Sequence, residues 1–305
     1  MYIIQRPDIK VYKTIHDEDK DNFFRIASLH PDNKFQLVTQ KEKIKEILLN
    51  NFASKSRGGD YKSGLPSATV ISSGLFPMCL DENKSGNSIG LLNWFNNQTV
   101  EDYEKQQLEN KKSLDAGNFI HVVLELAFTH DVRNFERERG LELYIEWAGY
   151  SDELKKQIDN FEEKLPLLKE KARLTLAKFF ENDIKRFEPI YNEIFIKLPR
   201  WQGAIDLVCR VDKKLCILDF KTSKKPKSRQ QLIDSGYTRQ LQIYSDFLLE
   251  HGIISKSEHS ELIYKILFMN WTSNRYKIED FSKEEVQYWK MYNNYILDWF
   301  HEMVD

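Results

Sequence analysis

The chain has 305 residues, of which 30% are charged and 41% hydrophobic, and its formal net charge is −2. This composition is typical of a soluble globular protein of one large or two modest domains, and no apolar run approaches the roughly 18 residues of a membrane span. We therefore expect no membrane association. The three cysteines, Cys79, Cys209 and Cys216, form no C-x-x-C pair, which argues against a disulfide scaffold or a zinc ribbon.

Residues 1–64 are predicted to form an N-terminal extension and linker. Thr39 to Glu42 matches a capping box that opens a helix. Residues 54–64 are rich in glycine, serine and basic side chains, which indicates a flexible basic linker. Acidic residues among the first basic ones make a poor transit peptide, so any import signal is weak in this sequence.

Helices are predicted within residues 65–115, from 115 to about 130, and within residues 151–187. Thr99 begins a capping sequence for one charged helix, and Asp115 can cap the next, which runs to about residue 130. Residues 151–187 indicate two helices that are broken near Pro166, because proline favours a kink or a new helix start.

The helix after Asp115 carries Gly117, His121 and Glu125 on one stripe at four-residue spacing. The glycine would let this helix approach a sheet closely, and His121 could then reach a metal, with Glu125 supporting its imidazole. The alternative is that His121 is an ordinary polar residue near the core.

Strand patterns dominate residues 193–222. The three predicted strands are Glu193–Leu198, Gly203–Val211 and Leu215–Thr222. The short polar segment between the second and third strands predicts a hairpin. If its loop is the pair Asp212 and Lys213, Asp206 lies opposite Asp219 with Cβ atoms about 5 Å apart. A three-residue loop would turn one aspartate away, and we favour the two-residue loop.

The residue types on these strands indicate a metal site. Asp219 and Lys221 are two residues apart, so both project from one face of the strand. Two aspartates facing each other among apolar side chains repel, and one would be protonated unless a cation lies between them. Oxygen ligands without sulfur favour Mg²⁺ or Mn²⁺ over zinc. The alternative is an edge hairpin with solvent-facing aspartates and a Lys221–Asp219 ion pair.

A local excess of positive charge follows the third strand. Residues 221–239 contain six basic side chains and one acidic one. Such a run is compatible with a solvated loop, but its place directly after a metal-binding strand favours contact with a polyanion backbone. Further strands are predicted at 262–269 and 275–281, and Ser282 begins a capping box for a C-terminal helix.

Three short motifs carry a family resemblance. Residues 203–206, 218–222 and 240–244 resemble the RecB-type branch of the PD-(D/E)XK nucleases. Within that branch, residues 214–227 look like the mitochondrial genome maintenance exonuclease family, including the Thr-Ser-x-Lys-Pro-Lys tail after the catalytic lysine, and residues 65–69 are similar to the start of its nuclease domain. The pair that names the superfamily is Ile205-Asp206 here, a departure that is common in such enzymes.

The resemblance implies an α/β restriction-endonuclease-like fold over residues 65–305, with a mixed central sheet flanked by helices and a helical arch at about 85–115. The implied metal ligands are Asp206, Asp219, the carbonyl of Phe220 and His121. The implied catalytic residues are Lys221, Asp206, Asp219 and Glu193. DNA binding is predicted for Gln240 and Tyr244 and, around the basic segment, for Thr222, Ser223, Lys224, Lys225, Lys227, Arg229 and Arg239.

The expected activity is a Mg²⁺- or Mn²⁺-dependent exodeoxyribonuclease that hydrolyses single-stranded DNA or flaps from a free end. The resemblance implies a mitochondrial role in DNA replication and repair, as a monomer working with replication proteins; a cytoplasmic or viral setting is the alternative. A structure-specific endonuclease and a catalytically silent DNA-binding module are the competing functions. Three cysteines are too few for the four-cysteine iron–sulfur cluster of some relatives.

Overall fold

A computed structural model describes residues 1–55, 62–75, 77–80, 86–129 and 166–305. The chain divides into two compact units: the first comprises residues 1–108, 197–203 and 291–305, and the second comprises residues 109–196 and 204–290. The predicted division into residues 1–64 and 65–305 stays a prediction. None of the helices in the ranges given above is long and apolar enough to cross a membrane.

The first unit contains a small antiparallel sheet that the sequence analysis did not predict. Its strands are β1 (Tyr2–Arg6), β2 (Val11–Ile15) and β3 (Gln36–Val38), in the order β2-β1-β3. Helix α1 (Lys20–Leu29) contributes Phe23 and Ile26 to a buried cluster with Ile4 and Ile15. The strands have only three to five residues, too few for an alternating pattern to stand out.

Helix α2 (Lys41–Ile47) corrects the predicted capping box. The cap position is Gln40, which makes no side-chain capping bond, so the box from Thr39 to Glu42 is offset by one residue. The chain continues through a π-helical turn, Leu48–Phe52, into β4 (Ala53–Lys55), which pairs antiparallel with β5 (Lys62–Pro66). The two ends of the predicted linker therefore form a hairpin, and its centre, residues 56–61, lies outside the described part.

Helix α3 (Gly86–Asn97) ends against a buried arginine. The guanidinium of Arg6 donates to the carbonyl oxygens of Phe95, Asn96 and Gln98, and it is also paired with Asp8. Carbonyls at the C-terminal end of a helix carry partial negative charge, and that of Phe95 also accepts from the Gln98 amide at 3.3 Å. A single buried cation thus satisfies the end of α3.

Helix α4 (Val100–Thr129) is continuous over 30 residues. Its predicted start is confirmed, because the Asp102 amide donates to Thr99 Oγ1 at 3.0 Å. The predicted new helix at Asp115 is wrong, since residues 110–116 contain no glycine or proline to end the preceding turns. The proposed arch region, 85–115, is covered by α3 and the first half of α4, and the arch role stays a prediction.

The second unit is built on a five-stranded mixed sheet. Its strands are β6 (Glu188–Lys197), β7 (Gln202–Val211), β8 (Lys214–Ser223), β9 (Ile263–Asn270) and β10 (Arg275–Phe281). The spatial order is β10-β9-β8-β7-β6; β8 pairs antiparallel with β7 and parallel with β9, and β9 pairs antiparallel with β10. The predicted α/β fold with a mixed sheet flanked by helices is confirmed.

The helices of the second unit are α5 (Pro166–Asn182), α6 (Arg229–Asp234), α7 (Tyr237–Glu250), α8 (Lys256–Glu261) and α9 (Lys283–Gln287). The last helix, α10 (Lys290–Val304), belongs almost entirely to the first unit. Further short helical turns are Asp17–Asp19, Val70–Gly74 and Ile184–Arg186. The capping box at Ser282 is confirmed, but it opens the short α9, so the predicted single C-terminal helix is two helices. Pro166 is both the first residue of α5 and the first described residue of this stretch, so the predicted break near Pro166 and the helix expected before it stay predictions.

The core of the second unit positions α4 against the central strands. Phe119, Ile120 and Val123 of α4 are buried in one cluster with Leu207 of β7 and Leu218 of β8. Full burial of such a side chain contributes roughly 1.5–3 kcal/mol. This apolar contact fixes the height of α4 over the hairpin, and therefore the place of the polar groups that α4 carries.

Candidate active site

The hairpin between β7 and β8 has the predicted register. Val211 pairs with Lys214 and Leu207 with Leu218, while Asp212 and Lys213 have φ values of 50° and 68°. Two successive left-handed residues define the type I′ turn that joins adjacent strands by two residues. The next step along this ladder places Asp206 opposite Asp219 on the same face.

Asp206 is a buried carboxylate with two defined neighbours. Its Oδ2 accepts a hydrogen bond from the Phe220 amide at 2.7 Å, and its Oδ1 lies 3.5 Å from His121 Nδ1. Burial would raise the pKa of Asp206, but His121, Lys221 and the Phe220 amide outweigh burial and hold this pKa well below its usual range. Asp206 is therefore ionised at neutral pH.

Asp219 is even more buried, with 1% of its surface exposed. Its Oδ2 forms an ion pair with Lys221 Nζ, which also donates to the Phe220 carbonyl at 3.3 Å. Burial raises the pKa of Asp219 to about 6, with Lys221 opposing the shift and Asp206 adding to it. Burial lowers the pKa of Lys221, but Asp219 and Asp206 outweigh burial and raise it.

The structure excludes the alternative of an edge hairpin with solvent-facing aspartates. The ion pair between Lys221 and Asp219 is present, but β7 and β8 are inner strands of the sheet, and Asp206 is only 6% exposed. The aspartates are therefore not solvent-facing residues of an edge hairpin.

Glu193 reaches the site through a backbone irregularity in β6. Its φ is 47°, a left-handed value that costs a non-glycine residue on the order of 1–3 kcal/mol. Ligand atoms of Glu193, His121 and Asp206 all lie within 4.8 Å of one another. The strand departs from regular geometry at the residue that brings a third acidic group to this cluster.

His121 reaches the cluster because α4 lies close to β8. A Cβ atom on Gly117 would lie 2.7 Å from Thr222 Oγ1, so only glycine fits at this crossing without a local shift. One turn further along α4, the His121 ring packs edge-on against Phe220 at a centroid distance of 5.7 Å. The predicted close approach at Gly117 is confirmed. The backbone carbonyl of Glu125 accepts from Asn192 Nδ2 at 2.7 Å, and the supporting role of its carboxylate stays a prediction.

The cluster has the composition of a divalent cation site. One imidazole and the carboxylates of Glu193 and Asp206 converge, and Asp219 Oδ1 is buried with no hydrogen-bond donor among the residues that the structure describes. A buried carboxylate oxygen without a donor is unfavourable, and a cation would satisfy it. Carboxylate oxygens without sulfur suit Mg²⁺ or Mn²⁺, whereas an imidazole nitrogen is more typical of transition-metal sites. The residues present therefore fit such an ion, although the three-residue cluster does not include Asp219.

Helix α7 carries two further predicted site residues. Gln240 and Tyr244 are both buried, and Gln240 Nε2 donates to the Tyr244 hydroxyl at 2.6 Å. Burial, with Asp219 and Asp206 nearby, raises the pKa of Tyr244 well above its usual value. The hydroxyl therefore stays neutral near two acidic groups, and contact of this pair with phosphates stays a prediction.

The basic segment after β8 is held by partners within the protein. Lys224 forms an ion pair with Glu109 at 2.6 Å, and Arg229 forms a bidentate salt bridge with Glu285 at 2.6 and 2.7 Å. Arg239 is 3% exposed, with its guanidinium 4.9 Å from the Trp289 ring centroid.

The other residues of the segment also contact neighbouring residues. Thr222 packs against Gly117, and the Ser223 hydroxyl accepts a hydrogen bond from the Lys225 amide at 3.2 Å. Lys225 is exposed, whereas Lys227 Nζ contacts Ser235 and Tyr237. The DNA-binding role of all these residues stays a prediction.

The sequence analysis missed Tyr237, whose ring lies against Lys221. Its spacing of three residues before Gln240 places both near one side of α7, but this spacing does not report the contact with Lys221.

Comparison with known proteins supports a nuclease core. The chain matches the family model described as "PD-(D/E)XK nuclease superfamily" over residues 95–294, about two thirds of its length. None of the curated proteins compared with it matches. The family match covers α4, the central sheet and α7, and hence every residue of the cluster. It does not distinguish the mitochondrial genome maintenance family from other branches. The chain belongs to the PD-(D/E)XK nuclease superfamily.

Proposed function

We propose that this protein is a metal-dependent exodeoxyribonuclease that hydrolyses phosphodiester bonds of single-stranded DNA or flaps from a free end. The observation that carries the proposal is the convergence of the partly buried His121 and Glu193 on the buried Asp206, beside the Asp219–Lys221 pair. Membership of the nuclease superfamily supports hydrolysis of nucleic acid. The resemblance of residues 214–227 to the mitochondrial exonucleases supports action from a free end.

The proposed metal ligands are Asp206, Asp219, His121 and the Phe220 carbonyl, with Glu193 beside them. A bound Mg²⁺, for which Mn²⁺ can substitute, would act as a Lewis acid and offset the charge that develops on the phosphoryl oxygens. The conclusion that a divalent metal is used follows from the superfamily and from the donor set, whereas the choice of Mg²⁺ is part of the proposal.

Lys221 is proposed to stabilise the negative charge of the transition state. Its ammonium is held by Asp219 and by the Phe220 carbonyl, and its raised pKa keeps it charged at neutral pH. A fixed ammonium donates to a phosphate oxygen most strongly when negative charge builds up in the transition state. Lys221 is therefore the proposed catalytic lysine.

The groups around the site are proposed to hold the strand without reading bases. Ser223 is the last residue of β8, the strand that carries Lys221, and Lys225 follows two residues later. Contacts to phosphates fix the register of a nucleic acid and carry no sequence information. We therefore expect little base preference and strong salt dependence of binding.

The cellular setting is proposed from the resemblance alone. It is mitochondrial DNA maintenance by a monomer that works with replication proteins. Imaging of a tagged full-length chain tests the compartment, and light scattering of the purified protein tests the monomer. A cytosolic signal or a stable dimer would each overturn that part of the proposal.

One assay separates the three candidate activities. Linear single-stranded DNA, circular single-stranded DNA and duplex DNA are incubated with Mg²⁺, Mn²⁺ or chelator. The wild type is compared with Lys221→Ala and with Lys178→Ala, a matched control whose exposed lysine donates to the Asn274 carbonyl at 3.0 Å. We expect metal-dependent loss of the linear strand, intact circles, and loss of activity in Lys221→Ala alone.

Other outcomes overturn specific parts of the proposal. Cleavage of circular DNA would show that the protein is an endonuclease and not an exonuclease. A shift in DNA mobility without products in any metal would show that the protein binds DNA without hydrolysing it.

A further inference from the structure

Tyr237 lies between the proposed catalytic lysine and the basic segment. It is the first residue of α7, after Gly236, whose φ of 84° sets the direction in which the helix begins. Lys221 Nζ is 5.2 Å from the centroid of the Tyr237 ring, and Lys227 Nζ is 5.0 Å from it. Lys227 Nζ also donates to the Tyr237 hydroxyl at 3.1 Å and to Ser235 Oγ at 2.8 Å.

We propose that Tyr237 is a positioning residue for Lys221, and that Lys227 acts on catalysis by holding Tyr237. The inference rests on the proposed nuclease function and deepens it. A lysine side chain has four rotatable bonds, so its ammonium needs several contacts to stay in one place. The face of a tyrosine ring attracts an ammonium through its quadrupole and adds a contact to those that Asp219 and the Phe220 carbonyl supply.

The ring offers a hold on Lys221 that does not compete for the metal. Asp219 is both the ion-pair partner of Lys221 and a proposed metal ligand, so a bound cation shares its charge and weakens its attraction for the ammonium. A neutral aromatic face is not a ligand for Mg²⁺, which takes oxygen donors. Tyr237 therefore keeps its contact with Lys221 when the site is loaded.

Lys227 distinguishes this role from simple DNA binding. Two of the three donors of an ammonium are used on Ser235 and on the Tyr237 hydroxyl. If Lys227 served only to bind phosphates, its loss would raise KM for DNA and leave kcat unchanged. If it holds Tyr237, its loss lowers kcat, because Lys221 is then less well placed at saturating DNA.

The kinetic test uses linear single-stranded DNA with Mg²⁺. The variants are Tyr237→Phe, Tyr237→Leu, Lys227→Met and the double variant that combines Tyr237→Leu with Lys227→Met. We expect Tyr237→Leu to lower kcat by about 3- to 30-fold, the range of a cation–π contact, with little change in KM. Tyr237→Phe keeps the ring and retains more of kcat. Lys227→Met lowers kcat in the wild-type background and has no further effect in the Tyr237→Leu background.

A second measurement does not depend on activity. Labelling of Lys221 by an amine-specific acylating reagent, read by mass spectrometry, should increase in Tyr237→Leu while labelling of Lys178 stays constant. Tyr288→Leu, which removes a tyrosine that is 76% exposed, is the control expected to change neither readout. If Tyr237→Leu lacks a cooperative melting transition, Tyr237→Met replaces it, since methionine fills similar space without an aromatic face.

The outcomes separate this inference from the proposed function. An inactive wild type would refute the nuclease, and the labelling comparison would still decide whether Tyr237 restrains Lys221. Wild-type kcat and unchanged labelling in Tyr237→Leu would overturn the inference even in an active enzyme. A rise in KM alone for Lys227→Met would return Lys227 to phosphate binding and overturn its role through Tyr237.

Discussion

Metal binding by this protein should weaken steeply between pH 7.5 and pH 5, because a proton competes for Asp219. Burial raises the pKa of this carboxyl to about 6, so the ionised fraction falls from about 97% at pH 7.5 to about 9% at pH 5. A carboxylate must be deprotonated to bind a metal. The apparent affinity for Mg²⁺ should therefore fall about tenfold from this group alone.

The same shift has a defined sign in the stability of the metal-free protein. The folded-state pKa is raised from 3.8 to about 6, so the folded state binds the proton more tightly than the unfolded state. Its contribution, at most about 3 kcal/mol, is fully present below pH 3.8 and is lost as the pH rises through 6. Asp206 acts in the opposite direction, because its pKa is lowered in the folded state. Added metal should restore stability at the pH values at which Asp219 is ionised.

Thermal melting in Mg²⁺ and in chelator, at matched ionic strength, measures this effect. At a metal concentration of about 100 Kd the stabilisation is about 2.7 kcal/mol, and a tenfold weaker affinity leaves about 1.4 kcal/mol. The metal-dependent rise in Tm at pH 5 should thus be about half of that at pH 7.5. His121→Asn, which removes the imidazole, serves as the control that keeps the part due to Asp219.

Two results would refute this reasoning. A metal response that is equal at pH 5 and pH 7.5 in both proteins would show that no proton competes at Asp219. Full metal stabilisation in Asp219→Asn would show that Asp219 is not a ligand.

Two further predictions concern the contacts that frame the site. In Gly117→Ala the added Cβ would lie 2.7 Å from Thr222 Oγ1. The crowding costs about 1–3 kcal/mol and the gain in helix propensity offsets about 1 kcal/mol of it, so stability should fall by up to about 2 kcal/mol. The control Gly90→Ala, with no atom within 4 Å of its added Cβ, should raise stability by up to about 1 kcal/mol, and equal melting shifts would contradict the close packing. Arg229→Ala should cost under about 1 kcal/mol, since its pair with Glu285 is partly exposed and screened, and it should reduce the salt dependence of DNA binding if Arg229 contacts phosphate. Glu285→Gln keeps the charge of Arg229 and a capping residue, so an identical DNA-binding defect in both variants would assign Arg229 to structure alone.

The part of the site that was predictable is the part that local geometry controls. Asp206 and Asp219 face each other because a two-residue turn at Asp212 and Lys213 sets the register, and period-two alternation does the rest. Both rules act within a single hairpin, so no knowledge of the remaining chain was needed. Gly117 was also interpretable, since a glycine on the face of a helix that meets a sheet predicts close approach.

The parts that were missed depend on distant contacts or on weak local signals. Strand β3 has three residues and is formed by pairing with β1, more than 30 positions earlier. Asp115 carries a capping side chain, yet continuous helix on both sides overrides it. Tyr237 meets Lys221 only because α7 packs beside β8, and no spacing in the sequence reports that contact. Propensity and pattern decide such cases only when tertiary packing does not intervene.

Three local features near the cluster are each unfavourable for folding alone. Glu193 adopts a left-handed backbone conformation, Gly117 replaces a better helix former, and Asp219 is a buried acid whose pKa is raised by its surroundings. A stable sheet needs none of them, and regular sequences avoid such conflicts except where function requires them. A module that only held the DNA backbone would use exposed cations and would have no need of a buried acidic pair. The convergence of these three features on one cluster therefore favours a catalytic metal site over the silent DNA-binding alternative.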